Sequence, residues 1–288
     1  MGERITGHTE LLTLMAYPIR HSSSPAMHNE ALSCLGLDYA YLCFEVDQSN
    51  LREAIGAMRA LKVRGGNVSM PNKIAVMQYL DRLTPEAKLC GAVNTIINDD
   101  GVLTGHITDG IGYIRGLRDH GFDIKGKKMT IVGAGGAAKA IQVQAALSGV
   151  REMSIFNVHD KYWDRARETT RLLNEELGCR TTLYGLENLD VLKEQIYDSD
   201  LLANATEVGM TPQEEWTYIP DASFFKPGML VTDVIYAPPK TKFLKLAEEA
   251  GCDTMNGFPM MLFQGAEAFR LWTGQDMPIA HMKEYLHI

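Results

Sequence analysis

M-T-I-V-G-A-G-G-A-A, residues 129–138, holds a strand end, a glycine turn and a helix start in direct succession. Met129 to Val132 is an apolar run of strand length, and Gly135 to Leu147 has helical spacing. Gly133 permits a tight turn, Gly135 lets a phosphate approach the backbone, and Ala138 is small enough for a helix to pack on its strand. A helix opening at such a turn offers free N–H groups and the positive end of its dipole to an anion. Strand, loop and helix in this order point to a dinucleotide-binding unit; a purely structural glycine turn is the competing reading.

The following strand, Met153 to Asn157, leads into N-V-H-D at residues 157–160. Asp160 stands at about the separation expected of an acid that binds the adenosine ribose, which favours NAD. An arginine here would welcome the 2′-phosphate of NADP, but the residue after Asn157 is Val158. Asp160 also reads as a cap for the helix from Tyr162 to Leu177, and the two roles are compatible. Beyond it come strands at Thr181–Tyr184, Leu201–Ala203 and Leu230–Val234, and helices at Thr241–Glu249, Met260–Trp272 and Ile279–Leu286.

Upstream, strands are expected at Leu11–Tyr17, Tyr39–Val46 and Gly66–Met70, with helices at Pro25–Leu35 and Leu51–Leu61. Val93–Ile97 and Val102–Thr104 flank Asp99-Asp100-Gly101, a hairpin turn. Asp109 caps a helix to Asp119, and Gly121 stops it. Strands alternating with helices predict βαβ units, a parallel sheet and the α/β class. At roughly 150 residues per domain, a chain of 288 residues holds two domains.

Composition narrows the functions. Lys and Arg number 28 against 36 Asp and Glu, a formal charge of −8, and no basic block stands out. Nucleic acid and anionic membrane are therefore poor partners, while a neutral or anionic small molecule remains open, because a pocket can be locally positive. Five widely spaced cysteines without a C-x-x-C pair read as reduced thiols of a cytoplasmic protein. The eight histidines form no metal-ligand pattern, so no metal is expected. The start lacks an apolar signal core, no 18-residue uncharged apolar run occurs, and M-G-E-R-I-T fits the loose myristoylation pattern only weakly. The sequence leaves a homodimer open.

Three further clusters carry polar chemistry. Lys73 follows a Pro-Asn turn in S-M-P-N-K (69–73), and Asp109 starts a helix in H-I-T-D-G (106–110), where negative charge is favourable. Lysine and aspartate can form a proton-transferring pair, though spacing alone does not bring these two together. Ser22 and Ser24 in H-S-S-S-P (21–25) precede a helix, where hydroxyls and N–H groups can hold a carboxylate; the pattern alone favours ordinary capping. Gln264, on an amphipathic helix, would by itself be a solvent-facing residue.

Taken in order, P-I-R-H-S-S-S-P (18–25), N-V-S-M-P-N-K (67–73), G-A-V-N-T (91–95), T-D-G (108–110), G-A-G-G-A-A (133–138), N-A-T-E-V-G-M (204–210), D-V-I-Y (233–236) and N-G-F-P-M-M-L-F-Q-G-A (256–266) resemble the shikimate dehydrogenase family, in particular its quinate/shikimate branch. The resemblance spans essentially the whole chain. It implies two α/β domains with an active-site cleft between them. Residues 1–108, completed by the C-terminal helices of 258–288, would form the substrate-binding domain, and residues 109–257 a Rossmann-like NAD(P)-binding domain. It implies reversible oxidation of shikimate, quinate or both to the 3-dehydro acid.

It also implies roles. Lys73 would transfer the proton, with Asp109 beside it. Ser22, Ser24 and Tyr236 would hold the substrate carboxylate. Asn67, Ser69, Asn94, Asp109 and Gln264 would hydrogen-bond ring hydroxyls. Gly133, Ala134, Gly135, Gly136 and Ala137 would hold the pyrophosphate, Asn157 and Asp160 the adenosine end, and Val234 and Gly257 would lie near the nicotinamide.

Departures from the family pattern bear on these roles. Ser23 replaces the usual Leu, Ile107 the usual Asn, and Glu207 a common Gly that would matter if the loop needs φ > 0. The missing arginine after Asn157 makes NAD the expected coenzyme and NADP the weaker one; Lys161 and Arg165 are the nearby cations. A dehydrogenase of a related cyclic acid such as an aminoshikimate, and a non-catalytic sensor of substrate and NAD, are the alternatives.

Overall fold

The computed structural model describes residues 5–288; Gly2 of the myristoylation pattern lies outside the described residues. Two compact units emerge. One runs to Thr108 and resumes at Gln264–Ile288, and the other is Asp109–Phe263.

The first unit contains β1 (Glu10–Ala16), α1 (Ser24–Cys34), β2 (Tyr39–Glu45), α2 (Leu51–Ala60), β3 (Gly65–Val68), β4 (Arg82–Leu83), α3 (Pro85–Cys90), β5 (Thr95–Asp99) and β6 (Val102–His106). Its sheet runs β2-β1-β3-β5-β6-β4. It is mixed, because β5 lies antiparallel to both β3 and β6. The expected hairpin is present: Asp99 pairs with Val102, and Asp100 (φ 52°) and Gly101 (φ 93°) take the left-handed conformation of a two-residue type I′ turn. Leu51, Ile55 and Met58 of α2 form a buried stripe at helical spacing.

The second unit contains α4 (Asp109–Asp119), β7 (Lys128–Val132), α5 (Gly136–Leu147), β8 (Glu152–Asn157), α6 (Trp163–Glu175), β9 (Arg180–Gly185), α7 (Leu189–Tyr197), β10 (Leu201–Asn204), β11 (Leu230–Asp233), α8 (Lys242–Glu249) and β12 (Asp253–Met255). The helix α9 (Phe258–Thr273) follows, and its residues from Gln264 onward count with the first unit, as does α10 (Ile279–Leu286). The sheet order β12-β11-β10-β7-β8-β9 is all parallel. Counted from β7, that is the 3-2-1-4-5-6 order of the Rossmann fold, reversing direction between β7 and β10. Strands β7, β10 and β11 are buried along their whole length, as parallel strands covered on both faces must be. Phe156, Leu192, Ile196, Leu202, Val231 and Phe243 belong to one core cluster of this unit.

Among the described residues, no helix is long and apolar enough to cross a membrane. The fold is thus a pair of α/β units, one of them Rossmann-like.

Candidate active site

In the first unit, the turn after β3 is fixed by the asparagine of the Pro-Asn turn, to which the motif gave no role of its own. Asn72 is fully buried; its Nδ2 donates to the Val46 carbonyl at 2.7 Å, and its N–H donates to Ser69 O at 2.8 Å. This sets Ser69 and Lys73 on either side of it. Lys73 O accepts from Val93 N at 2.8 Å, which ties the lysine turn to the segment before β5. Both Lys73 and Ser69 are partly exposed.

Asn67 and Asn94 meet in a buried polar network. Asn67 Nδ2 donates to Asn94 O and Thr95 Oγ1, each at 3.1 Å, while Asn67 Oδ1 accepts from the Tyr41 hydroxyl at 2.7 Å. Burial pushes the Tyr41 pKa up, so its hydroxyl stays protonated and a donor. Asn94 Nδ2 donates to Thr108 Oγ1 at 3.0 Å, and Asn94 Oδ1 accepts from Thr108 N at 2.9 Å. Tyr41 and Thr108 therefore set the orientation of the two asparagine amides. Tyr41 sits at an unremarkable strand position and drew no notice in the sequence, while Thr108 stood in T-D-G without a role of its own.

Ser22 and Ser24 lie at the start of α1. Neither acts as the cap: Ser23 occupies that position without a side-chain cap bond, and Ser22 Oγ accepts from Ser24 N at 3.2 Å. Gln264 is partly buried on α9. Its neighbour Gly265 lies against Met27 of α1, so this end of α9 adjoins the helix that the serines open.

In the second unit, the candidates gather at the C-terminal edge of the parallel sheet. The register aligns Val132 with both Phe156 and Asn204, and Asn204 with Asp233. Gly133, Asn157 and Val234 therefore follow neighbouring strand ends, with Gly257 just past β12. Gly133 has φ +119°, and a Cβ there would come 2.7 Å from Ala205 O. Glycine is needed on both counts. Buried Gln142, another residue missed above, holds the turn by donating to Gly133 O at 3.0 Å.

Helix α5 opens with Gly135 as its cap and no side-chain acceptor on its first N–H groups. A Cβ on Gly135 or Gly136 would meet nothing within 4 Å. Ala137 is partly exposed, while Ala134 and Ala138 are buried. An unfilled helix N-terminus beside open space suits a phosphate.

At the end of β8, Asn157 Nδ2 donates to Val158 O at 2.8 Å and to Asp160 Oδ1 at 3.2 Å. Asp160 is exposed and also accepts from Tyr162 N at 2.9 Å, one residue before α6 proper. His159 stacks on Trp163, with centroids 3.7 Å apart, and pairs with Glu187 at 3.2 Å. Lys161 and Arg165 both lie over the Tyr162 ring, at 5.1 and 5.7 Å.

Asp109 is the first residue of α4 and is buried. Tyr236 is 42% exposed and packs against Phe258. Of the departures, Ile107 is a buried apolar residue. Glu207 is not in the left-handed region among the described residues; that requirement falls on Gly209, at φ +104°. The substitution at position 207 therefore carries no backbone penalty.

The chain was compared with known proteins. A model of the shikimate dehydrogenase substrate binding domain matches residues 14–96, and one of the shikimate 5′-dehydrogenase C-terminal domain matches residues 257–286. A shikimate dehydrogenase (NADP(+)) of Listeria monocytogenes is 55% identical over 284 residues, covering 99% of this chain and 98% of its own. A quinate/shikimate dehydrogenase of Escherichia coli is 48% identical over 282 residues, covering 98% of each. The structure of a Listeria monocytogenes shikimate 5-dehydrogenase, in complex with shikimate and NAD, superposes with a TM-score of 0.97 at 54% identity over 99% of both chains. The chain belongs to the shikimate dehydrogenase family and is an oxidoreductase.

Proposed function

We propose that this enzyme reversibly oxidises a secondary ring alcohol of shikimate, quinate or both to the 3-dehydro acid, with NAD preferred over NADP. The observation that carries the nucleotide reading is the open N-terminus of α5, which follows the Gly133 turn at the point where the sheet order reverses. The ring-acid reading is supported by the similarity to relatives named for shikimate and quinate. NAD preference is supported by Asp160 and by Val158, an uncharged residue where an arginine would meet a 2′-phosphate.

When bound, the nicotinamide accepts or returns the hydride. The remaining tasks fall to this chain. Lys73 Nζ takes the proton of the reacting hydroxyl as its carbon loses hydride, and gives it back in the reduction. Asp109 orients that hydroxyl. Ser22, Ser24 and Tyr236 hold the carboxylate, and Asn67, Ser69, Asn94 and Gln264 bind the other ring hydroxyls. Several polar side chains around a polyol discriminate against analogues lacking a hydroxyl, because the lost partner leaves a buried polar group unpaired. Gly133 to Ala137 receive the pyrophosphate, Asn157 and Asp160 the adenosine end, and Val234 and Gly257 the nicotinamide end.

The role of Lys73 is tested by Lys73→Ala. The expected result is a kcat lower by about 10²- to 10⁴-fold, with NADH binding retained. An undiminished kcat would remove Lys73 from the mechanism.

A further inference from the structure

Asp233 closes β11 with 1% of its surface exposed, and the reaction above gives it no task. Three hydrogen bonds converge on its carboxylate. Asn204 Nδ2 donates to Oδ1 at 3.1 Å, Ile235 N to Oδ1 at 3.0 Å, and Thr241 Oγ1 to Oδ2 at 2.7 Å. The donors come from the end of β10, the loop after β11 and the cap of α8. Burial pushes the carboxyl up to about 6 against the pull of these three bonds, and no charged group among the described residues contributes. A buried carboxylate with no cation beside it is costly to keep.

That cost organises one edge of the sheet. Asn204, held by Asp233, accepts on Oδ1 from Thr206 N at 3.2 Å and from Thr206 Oγ1 at 2.7 Å. Its Nδ2 also reaches Val208 O at 3.3 Å, so the N-A-T-E-V-G-M loop folds around this amide. Val234 N donates to Asn204 O at 3.1 Å, and Gly257 N donates to Ile235 O at 2.9 Å. The carboxylate thus ties the segments after β10 and β11 directly, and the Ile235 carbonyl carries the tie on to the segment after β12.

We propose that Asp233 is a positioning residue for the coenzyme, its ionised carboxylate fixing the three segments that receive the nicotinamide end. The proposal rests on the nucleotide reading given above. Protonation removes an acceptor from the hub, so the nucleotide site loosens as pH falls through the Asp233 titration. The groups bonded to Asp233 from β10, the following loop and α8 are an amide, a backbone N–H and a hydroxyl; none of them titrates in this range.

The test compares the wild type with Asp233→Asn, Thr241→Val and Thr241→Ser, using NADH fluorescence titrations and initial rates between about pH 5 and pH 8. Hydrogen bonds to a charged group justify an expected rise of about tenfold in the NADH Kd and NAD KM of Asp233→Asn at neutral pH. The ring-acid KM should rise by clearly less than the NAD KM, because Tyr236 is the one proposed carboxylate contact on the segment after β11. The wild-type Kd should climb as pH falls through about 6, and the Asp233→Asn profile should be flat. Thr241→Val should weaken NADH in the same direction and Thr241→Ser should restore it, which keeps the test alive if Asp233→Asn does not fold. A wild-type Kd and pH profile in Asp233→Asn would overturn the proposal, as would equal rises in both KM values. Absence of NADH binding by the wild type would overturn the nucleotide reading itself and the proposal with it.

Discussion

Gly257 lies so close to Val234 that a Cβ built on it would strike the Val234 carbonyl oxygen. No flexible side chain is available to yield, since the obstructing atoms are backbone. Gly257→Ala must therefore displace the segment after β11 or that after β12. We expect a stability loss of about 1–3 kcal/mol, typical of overpacking, and an NAD KM raised by about tenfold through the displaced nicotinamide end. Thermal denaturation with NADH titration reads both. A variant with unchanged NADH affinity would separate Gly257 from the coenzyme.

Coenzyme choice is predicted to turn on the end of β8. Val158 is 38% exposed, beside Asp160. Val158→Arg puts a guanidinium where a 2′-phosphate would lie, and one charge-assisted hydrogen bond should raise kcat/KM for NADP about tenfold relative to NAD. Initial rates with both nucleotides decide the matter, and an unchanged ratio would detach this loop from the choice.

The parts legible in sequence were those where a local rule acts alone. Gly133 and Gly135 announced the turn between β7 and α5, and Asp100-Gly101 the hairpin, because each conformation is set by its own residues. Helices α3 and α7 were missed although their signals are present. Thr84 accepts from Ala87 N, with Pro85 at the first helical position and Gly91 at φ 63° after the end; Asn188 accepts from Val191 N. Both helices are short, of six and nine residues. The mixed pairing of β5 and the three-residue β12 leave no periodic trace. Tyr41 and Gln142 carry no local signal, and Thr108 and Asp233 stand inside T-D-G and D-V-I-Y without a role that the motif assigns; each acts through a partner outside its own element, such as Asn67 for Tyr41, 26 residues away.

His28 gives a prediction on stability. It is fully buried, stacked on Tyr41 at 4.5 Å, and neither ring nitrogen has a hydrogen-bond partner among the described residues. Burial lowers its pKa from 6.5 to about 3. The folded state thus resists a proton that the unfolded state accepts, so the stability contributed above pH 6.5 is lost as pH falls towards 3. Relative to His28→Leu, the wild type should lose about 2 kcal/mol between pH 7 and pH 5. Urea denaturation of both proteins at the two pH values measures it. A pH-independent difference would mean that His28 takes up its proton in the folded state.

The central claim is that this family member turns over a ring acid with a nicotinamide nucleotide, NAD ahead of NADP. The most direct measurement is the initial rate of nucleotide reduction with shikimate and with quinate, each paired with NAD and with NADP. The account predicts turnover of at least one of the two acids and a higher kcat/KM with NAD. A higher kcat/KM with NADP would contradict the coenzyme assignment, and no rate with any of the four pairs would contradict the substrate assignment.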